Sequence, residues 1–234
     1  MTMQIPSLPN ATANAALPLS VADTLTDLGG ISSDRLRVVE ASRPATAEDL
    51  AILHAQGVMC ELVDGQLVEK QMGFKESLLA LAIGHFLFQH VSKHKLGMVS
   101  GADGFVTLFP DLIRGPDVAF LSWDRLPGGQ LPEEAFPRIV PDLVVEVLSP
   151  GNTRAEMARK RREYFHAGVR LVWTVDPIRR SVAIFTSATQ SSVRGETESL
   201  DGGEVLPGLK INLAEVFAVL DGPDVDENPI VVNG

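Results

Sequence analysis

The chain predicts a mixed α/β (α+β) domain, a twisted sheet covered by helices, on three observations. The stretch Pro141–Pro150, PDLVVEVLSP, is a β-branched apolar run with one acid, Glu146, in its middle and apolar residues on both faces, as in a central strand. A helix signal follows it directly, and another apolar strand, Leu171 to Val175, follows that helix. Strand, helix and strand in that order make a βαβ crossover. The third observation is a hairpin signal at Cys60 to Glu69, where Asp64 and Gly65 form the turn between two short apolar runs.

Taken in order, residues 1 to 20 are rich in Ala, Pro, Asn, Leu and Ser without periodicity and predict a loose arm. Val21 to Leu28 predicts a short helix stopped by Gly29 and Gly30, and Thr46 to Asp49 a capping box opening a helix that Gly57 closes. Residues 1–45 therefore read as an N-terminal extension, 46–220 as a single domain and 221–234 as an acidic tail. After the hairpin, Lys75 to His94 carries the longest helical pattern, with Glu76, Leu79, Ala80, Ile83 and Leu87 on one stripe. Phe105 to Leu108 and Ile113 to Ser122 read as two strands about a turn at Pro110 and Asp111. Pro116, which cannot donate to a ladder, marks a strand start or an edge. Thr153 to Glu156 is a capping box, and Gly168 ends its helix. Ser181 to Thr186 forms a second hairpin with Leu171 to Val175. Residues 187 to 204 read as a polar β excursion, and Leu213 to Leu220 as a last short helix.

Composition narrows the function. With 45% hydrophobic and 21% charged residues the chain is globular, and a single cysteine, Cys60, excludes an intramolecular disulfide. That cysteine usage and the lack of basic residues before Arg35 predict a cytoplasmic protein. The apolar stretch Leu78 to Phe88 is too short to span a bilayer. A net charge of −10 argues against a broad basic coat for nucleic acid. The one local exception is Arg154 to Arg170, with six basic and two acidic residues.

The residues that carry chemistry are acids in apolar surroundings. Glu146 lies in the middle of the PDLVVEVLSP strand, where an unpaired carboxylate costs several kcal/mol. Asp117 lies at the head of another apolar run, beside Pro116. Two hard oxygen ligands brought to one end of a sheet suit Mg²⁺ or Mn²⁺, which keep several waters and bind phosphate oxygens too. A glycosidase-type carboxylate pair and a structural ion pair fit the same residues. Glu76 falls in the first turn of its helix, where a carboxylate is also favoured by the helix dipole. His90 and His94, spaced i, i+4, have the separation of two helical metal ligands, yet no further Cys or His supports them, and helix-end histidines are the expected reading.

In order along the chain, Asp64–Gly65, GPDVA around Asp117, PDLVVEVLSP around Glu146, KRREY from Lys160 to Tyr164, and GVRLVWTVDP from Gly168 to Pro177 resemble the Uma family. Its members are restriction-endonuclease-like bacterial proteins of the PD-(D/E)xK nuclease superfamily. The resemblance runs from about Cys60 to Thr186. It implies a restriction-endonuclease-like fold and a metal-dependent endonuclease acting on DNA. Asp117 and Glu146 match the family's metal-binding acids, and the carbonyl of Val147 is a further expected ligand. Lys160 matches the catalytic lysine, Tyr164 stands one turn later, and Glu76 matches a first-helix residue supporting the ion. The superfamily's usual lysine, two places after the acid, is Leu148 here, which opens the alternative of a non-catalytic nucleic-acid- or protein-binding protein. On the helical wheel Lys160 and Tyr164 share one flank, but Arg161 is at least as inward, so only the resemblance selects Lys160. For Arg159 and Arg162 a solvated face is expected. The resemblance further implies DNA contacts from the basic helix 154–170 and, by analogy with nucleases that cut both strands, a homodimer.

Overall fold

A computed structural model describes residues 20–40 and 42–221. Apart from Ser20 and Asp221, the N-terminal arm and the acidic tail lie outside the described residues. In chain order the elements are α1 (Val21–Asp27), β1 (Leu36–Arg37), α2 (Ala47–Ala55), β2 (Cys60–Val63), β3 (Gln66–Glu69), α3 (Phe74–His94), β4 (Gly97–Ser100), β5 (Val106–Phe109), β6 (Leu112–Arg114) and β7 (Val118–Ser122). They continue as β8 (Leu143–Val147), α4 (Arg154–Ala167), β9 (Leu171–Asp176), β10 (Ser181–Phe185), β11 (Ser191–Gly195), β12 (Ser199–Gly202), β13 (Leu206–Asn212) and α5 (Leu213–Phe217). No helix among the described residues is long and apolar enough to cross a membrane.

The main sheet has six strands in the order β11-β10-β9-β8-β7-β4, so the Glu146 strand β8 is central. Its pairing with β9 is parallel, through the α4 crossover, and its pairing with β7 is antiparallel. All five residues of β8 are buried because both faces are covered. Leu143, Val145 and Val147 pack with Leu79, Ile83 and Leu87 of α3, while Val144 packs with Tyr164 of α4. α3 starts and stops where its sequence predicts, with Lys95 closing it in the left-handed conformation.

Two features were not legible in the sequence. The run Ile113 to Ser122, read as one strand, is two: β6 and β7 belong to different sheets. The chain crosses from a five-stranded sheet, β1-β3-β2-β6-β5, into the main sheet at Gly115 and Pro116. Proline's missing donor breaks the ladder there, and Gly115 has room only for hydrogen, since a Cβ would meet the Phe105 ring at 2.6 Å. The second feature is β4, which pairs with β7 at the sheet edge and which no periodicity announced. The polar excursion after Thr186 resolves into β11, added to the main sheet, and the β12–β13 ribbon.

Residues of the N-terminal extension dock on α4. Arg35 forms a buried two-pronged pair with Glu156, 2.8 and 3.0 Å long, and Thr153 donates its hydroxyl to the Gly29 carbonyl. Gly29 has φ +96°, and a Cβ there would lie 2.5 Å from the Glu156 backbone. Gly29→Ala is therefore expected to cost at least about 1–3 kcal/mol from the left-handed backbone alone, read as a lower thermal midpoint. An unchanged midpoint would show that this contact does not hold the extension.

Candidate active site

The site lies where the two sheets meet the inner face of α4. Val118 pairs with Val145 across the β7–β8 ladder, and the Asp117 amide donates to the Val145 carbonyl at 3.1 Å. One step along that register Asp117 faces Glu146, on the same side of the sheet. Opposite residues in such a ladder hold their Cβ atoms about 4.5–5.5 Å apart. Both acids are buried. The spacing that set them on two neighbouring strands thus brings two carboxylates together.

Each carboxylate is held by its own partners. Asp117 Oδ2 accepts the Val147 amide at 2.7 Å, and its Oδ1 lies 2.9 Å from Lys70 Nζ. Glu146 Oε1 accepts the Tyr164 hydroxyl at 2.5 Å, and its Oε2 lies 3.3 Å from Lys160 Nζ. Lys160 therefore points inward, on the flank it shares with Tyr164, while Arg161 lies over the Phe185 ring, 4.1 Å from its centroid. The geometry brings together Asp117, Glu146, Val147, Lys160 and Tyr164. It separates Glu76, which is half-buried, folds back over Gly73, and lines a neighbouring groove with Lys75, Ser149 and Arg154. His90 and His94 stand side by side at the far end of α3, with ring centroids 4.6 Å apart.

Three charged residues of the cluster, Glu61, Lys70 and Arg114, went unnoticed in the sequence. Glu61 on β2 is fully buried, accepts Lys160 at 3.1 Å and Arg114 at 2.7 Å, and also accepts the Gly115 amide at 3.2 Å. Lys70, just past β3, donates to the Gly115 carbonyl at 2.6 Å as well as pairing with Asp117. Glu61 carried a readable signal, an acid between buried apolar neighbours in CELV, like that of Glu146. Lys70 carried none, because a lysine at a strand end is ordinarily solvated. A further correction concerns α4. Arg162 is exposed as expected, but Arg159 is only 15% exposed, held by Glu163 and Asp64.

Burial and charge pull these groups in different directions. Burial raises the Glu146 carboxyl above its ordinary value, and Asp117 and Glu61 push the same way against Lys160 and Lys70. Burial disfavours the Lys160 ammonium, yet Glu146 and Glu61 overcome this and raise its pKa. Lys160 is thus a protonated donor at neutral pH, not a base. For Glu61 burial again opposes ionisation, but Lys160, Arg114 and Lys70 draw the carboxyl down to about 2. A depressed carboxyl stabilises the fold above its ordinary pKa of 4.5, and that contribution disappears as pH falls toward about 2. Glu61→Gln is expected to be less stable at neutral pH, with the gap to the parent closing across that window in urea titrations. A gap independent of pH would show that the charge of Glu61 is not what stabilises.

The inner set holds three carboxylates, Glu61, Asp117 and Glu146, against three cations, Lys70, Arg114 and Lys160. Asp117 opens on a cavity of about 420 Å³ between α3 and β4, walled by Leu81, His85, Phe88 and Ala102. A separate groove of about 650 Å³ lies at the N-terminus of α4. Lys75, Arg154, Arg161 and Arg179 line it, together with Ser149, Asn152 and Thr153. Among the described residues no three His, Cys, Asp or Glu side chains form a ready metal cluster. The oxygen-only pair Asp117 and Glu146 nonetheless fits a hard divalent ion that keeps most of its waters.

The model of the Uma2 family, described as a putative restriction endonuclease, matches residues 47–214. The chain belongs to that family. A solved Uma2-like fold is the crystal structure of a putative nuclease belonging to DUF820 from Anabaena variabilis ATCC 29413. It superposes with a TM-score of 0.66 at 19% identity, covering 76% of this chain and 99% of that one. At that identity the likeness shows a shared fold, and the Uma2 chain is a nuclease-fold protein. No curated protein matches.

Proposed function

We propose that this Uma2 chain is a metal-dependent endonuclease that hydrolyses DNA phosphodiester bonds by attack of a metal-activated water. The observation that carries the reading is the pair Asp117 and Glu146, facing each other across β7 and β8 with the Lys160 ammonium on Glu146. Asp117, Glu146 and the Val147 carbonyl would hold Mg²⁺ or Mn²⁺. A divalent ion so held lowers the pKa of a bound water and neutralises charge at phosphorus. Lys160, kept protonated between Glu146 and Glu61, would orient the attacking water and stabilise charge developing on the phosphate oxygens. Tyr164 holds Glu146 Oε1, fixing the carboxylate's direction. The basic groove at the head of α4 would follow the phosphate backbone through Arg154 and Lys75, which make no ion pair among the described residues. Removing both charges is expected to reduce the salt slope of DNA binding by roughly 0.9 per lost phosphate contact. Glu76 shares that groove rather than the carboxylate pair, so Glu76→Gln is expected to keep the heat of metal binding.

The test is calorimetry with Mg²⁺ or Mn²⁺ on the parent, Asp117→Ala and Glu146→Ala, beside plasmid nicking at low salt. Heat and nicking in the parent, and neither in the variants, support the reading. A parent with no heat and intact plasmid sinks it. One observation favours a second reading, a non-catalytic binding protein: Lys70 occupies Asp117 Oδ1 and balances the site's charge without an ion. If an ion displaces that ammonium, Lys70→Met should bind Mn²⁺ about tenfold or more tighter than the parent, since a competing buried pair is removed. Equal affinity would mean that Lys70 does not compete.

A further inference from the structure

α3 has two apolar faces, and among the described residues only one is covered. Leu79, Ala80, Ile83, Leu87 and Val91 are buried against the sheet. On the opposite side Phe74, Leu81 and Phe88 are 81, 72 and 59% exposed. With Leu78 and His85 between them they fall at spacings of four, three, four and three residues along the helix. That is the a/d seam of a heptad repeat, which places every member along a second helix rather than toward solvent. Past its first turn, from Ser77 to Ser92, the helix holds no Asp, Glu, Lys or Arg, in a chain with 21% charged residues and a net charge of −10. The residues flanking the seam, Ser77, Ala82 and Gly84, are small and let two helices approach.

We propose that this face of α3 is a homodimer interface, formed by antiparallel pairing with α3 of a second copy about a two-fold axis at Leu81. Three points select a second copy. A seam centred on one residue with a Phe seven positions to either side is self-complementary: the axis sets Phe74 against the partner's Phe88, and Leu81 against the partner's Leu81. Two copies that each carry −10 meet with least repulsion where neither presents a charge. Antiparallel pairing also lays opposite ends of the two helix dipoles beside each other and keeps the Lys93 and Lys95 ends apart. Counting on the order of 100–150 Å² for each exposed Phe or Leu, with smaller amounts from their neighbours, the two faces bury on the order of 1,000 Å². This is the small end of specific interfaces and fits a modest, reversible dimer. Leu81, His85 and Phe88 also wall the cavity that opens on Asp117. Pairing therefore covers the outer lip of that cavity in both subunits.

The inference stands on the exposed face alone and needs no nuclease activity, so its test is sedimentation of the full chain. The parent is expected to sediment as a concentration-dependent dimer, and Leu81→Glu as a folded monomer whose thermal midpoint equals that of the parent at dilutions where the parent is monomeric, because the side chain is in solvent before pairing. Ile178→Glu, at an exposed apolar position in the β9–β10 turn, should leave the dimer intact. Under mild oxidation Leu81→Cys should cross-link to itself, against a background in which Cys60 is buried. Phe74→Cys should not self-link but should link to Phe88→Cys when the two variants are mixed. A parent that stays monomeric at its highest soluble concentration overturns the proposal, as does a dimer that survives Leu81→Glu. Efficient self-linking of Phe74→Cys overturns the antiparallel arrangement, and capture of a monomeric parent by phospholipid vesicles would assign the face to a membrane surface instead.

Discussion

Lys160→Met is expected to destabilise the fold by about 3–5 kcal/mol, a large part of a typical domain's stability. The ammonium is shared by Glu146 and Glu61, both buried, at 3.3 and 3.1 Å. Deleting it leaves Glu146 with only the Tyr164 hydroxyl and takes from Glu61 the nearest opposing charge after Arg114. Methionine fills the space without restoring a donor, so the loss is electrostatic rather than a packing defect. Chemical denaturation reads it as a lower midpoint at constant slope. A midpoint within about 1 kcal/mol of the parent would mean that the acids take up protons or water at little cost, and that Lys160 is not essential to their burial. Because the variant is expected to fail structurally, lost activity in Lys160→Met says little about catalysis.

Glu146→Gln separates the two. Glutamine has nearly the same shape, can still accept the Tyr164 hydroxyl, and leaves Lys160 its pair with Glu61. Burial already presses Glu146 toward its neutral form, which offsets part of the lost pairing, but the new amide nitrogen faces the Lys160 ammonium, so the substitution is expected to destabilise by less than Lys160→Met and to leave a folded protein. On the proposed mechanism, metal-dependent plasmid nicking falls by about 10³-fold or more, because an ion ligand and a charge at the reacting centre are both lost. The heat of Mn²⁺ binding should fall with it. Full nicking by a folded Glu146→Gln protein would remove Glu146 from the mechanism, and with it the case for β8 as the catalytic strand.

Most of the fold was legible because its signals are local. The β8–α4–β9 crossover follows from an apolar run, a capping box and a glycine stop, and each acts within a few residues. The Asp64–Gly65 hairpin has a positive φ at both turn positions, as its residue types require. What failed was long-range. β6 and β7 looked like one strand because their side-chain pattern is continuous, and the pairing of β6 with β2 and β5 in the other sheet divides them. β4 has weak periodicity and exists because β7 offers it an edge.

The same division runs through the site. The sequence by itself determined that Glu146 is costly, that Asp117 lies in another apolar run, and that a helix rich in basic residues follows. Those are properties of residue type and period. Only the tertiary structure decided which of those charges are solvated and which are internal. It turned Lys160 inward between two acids, tied Arg159 to Glu163, moved Glu76 to an adjoining groove, and brought Glu61 and Lys70 in from the other sheet. The reason is physical: the ionic state of a buried group depends on neighbours far away in sequence, and a linear pattern records no distances.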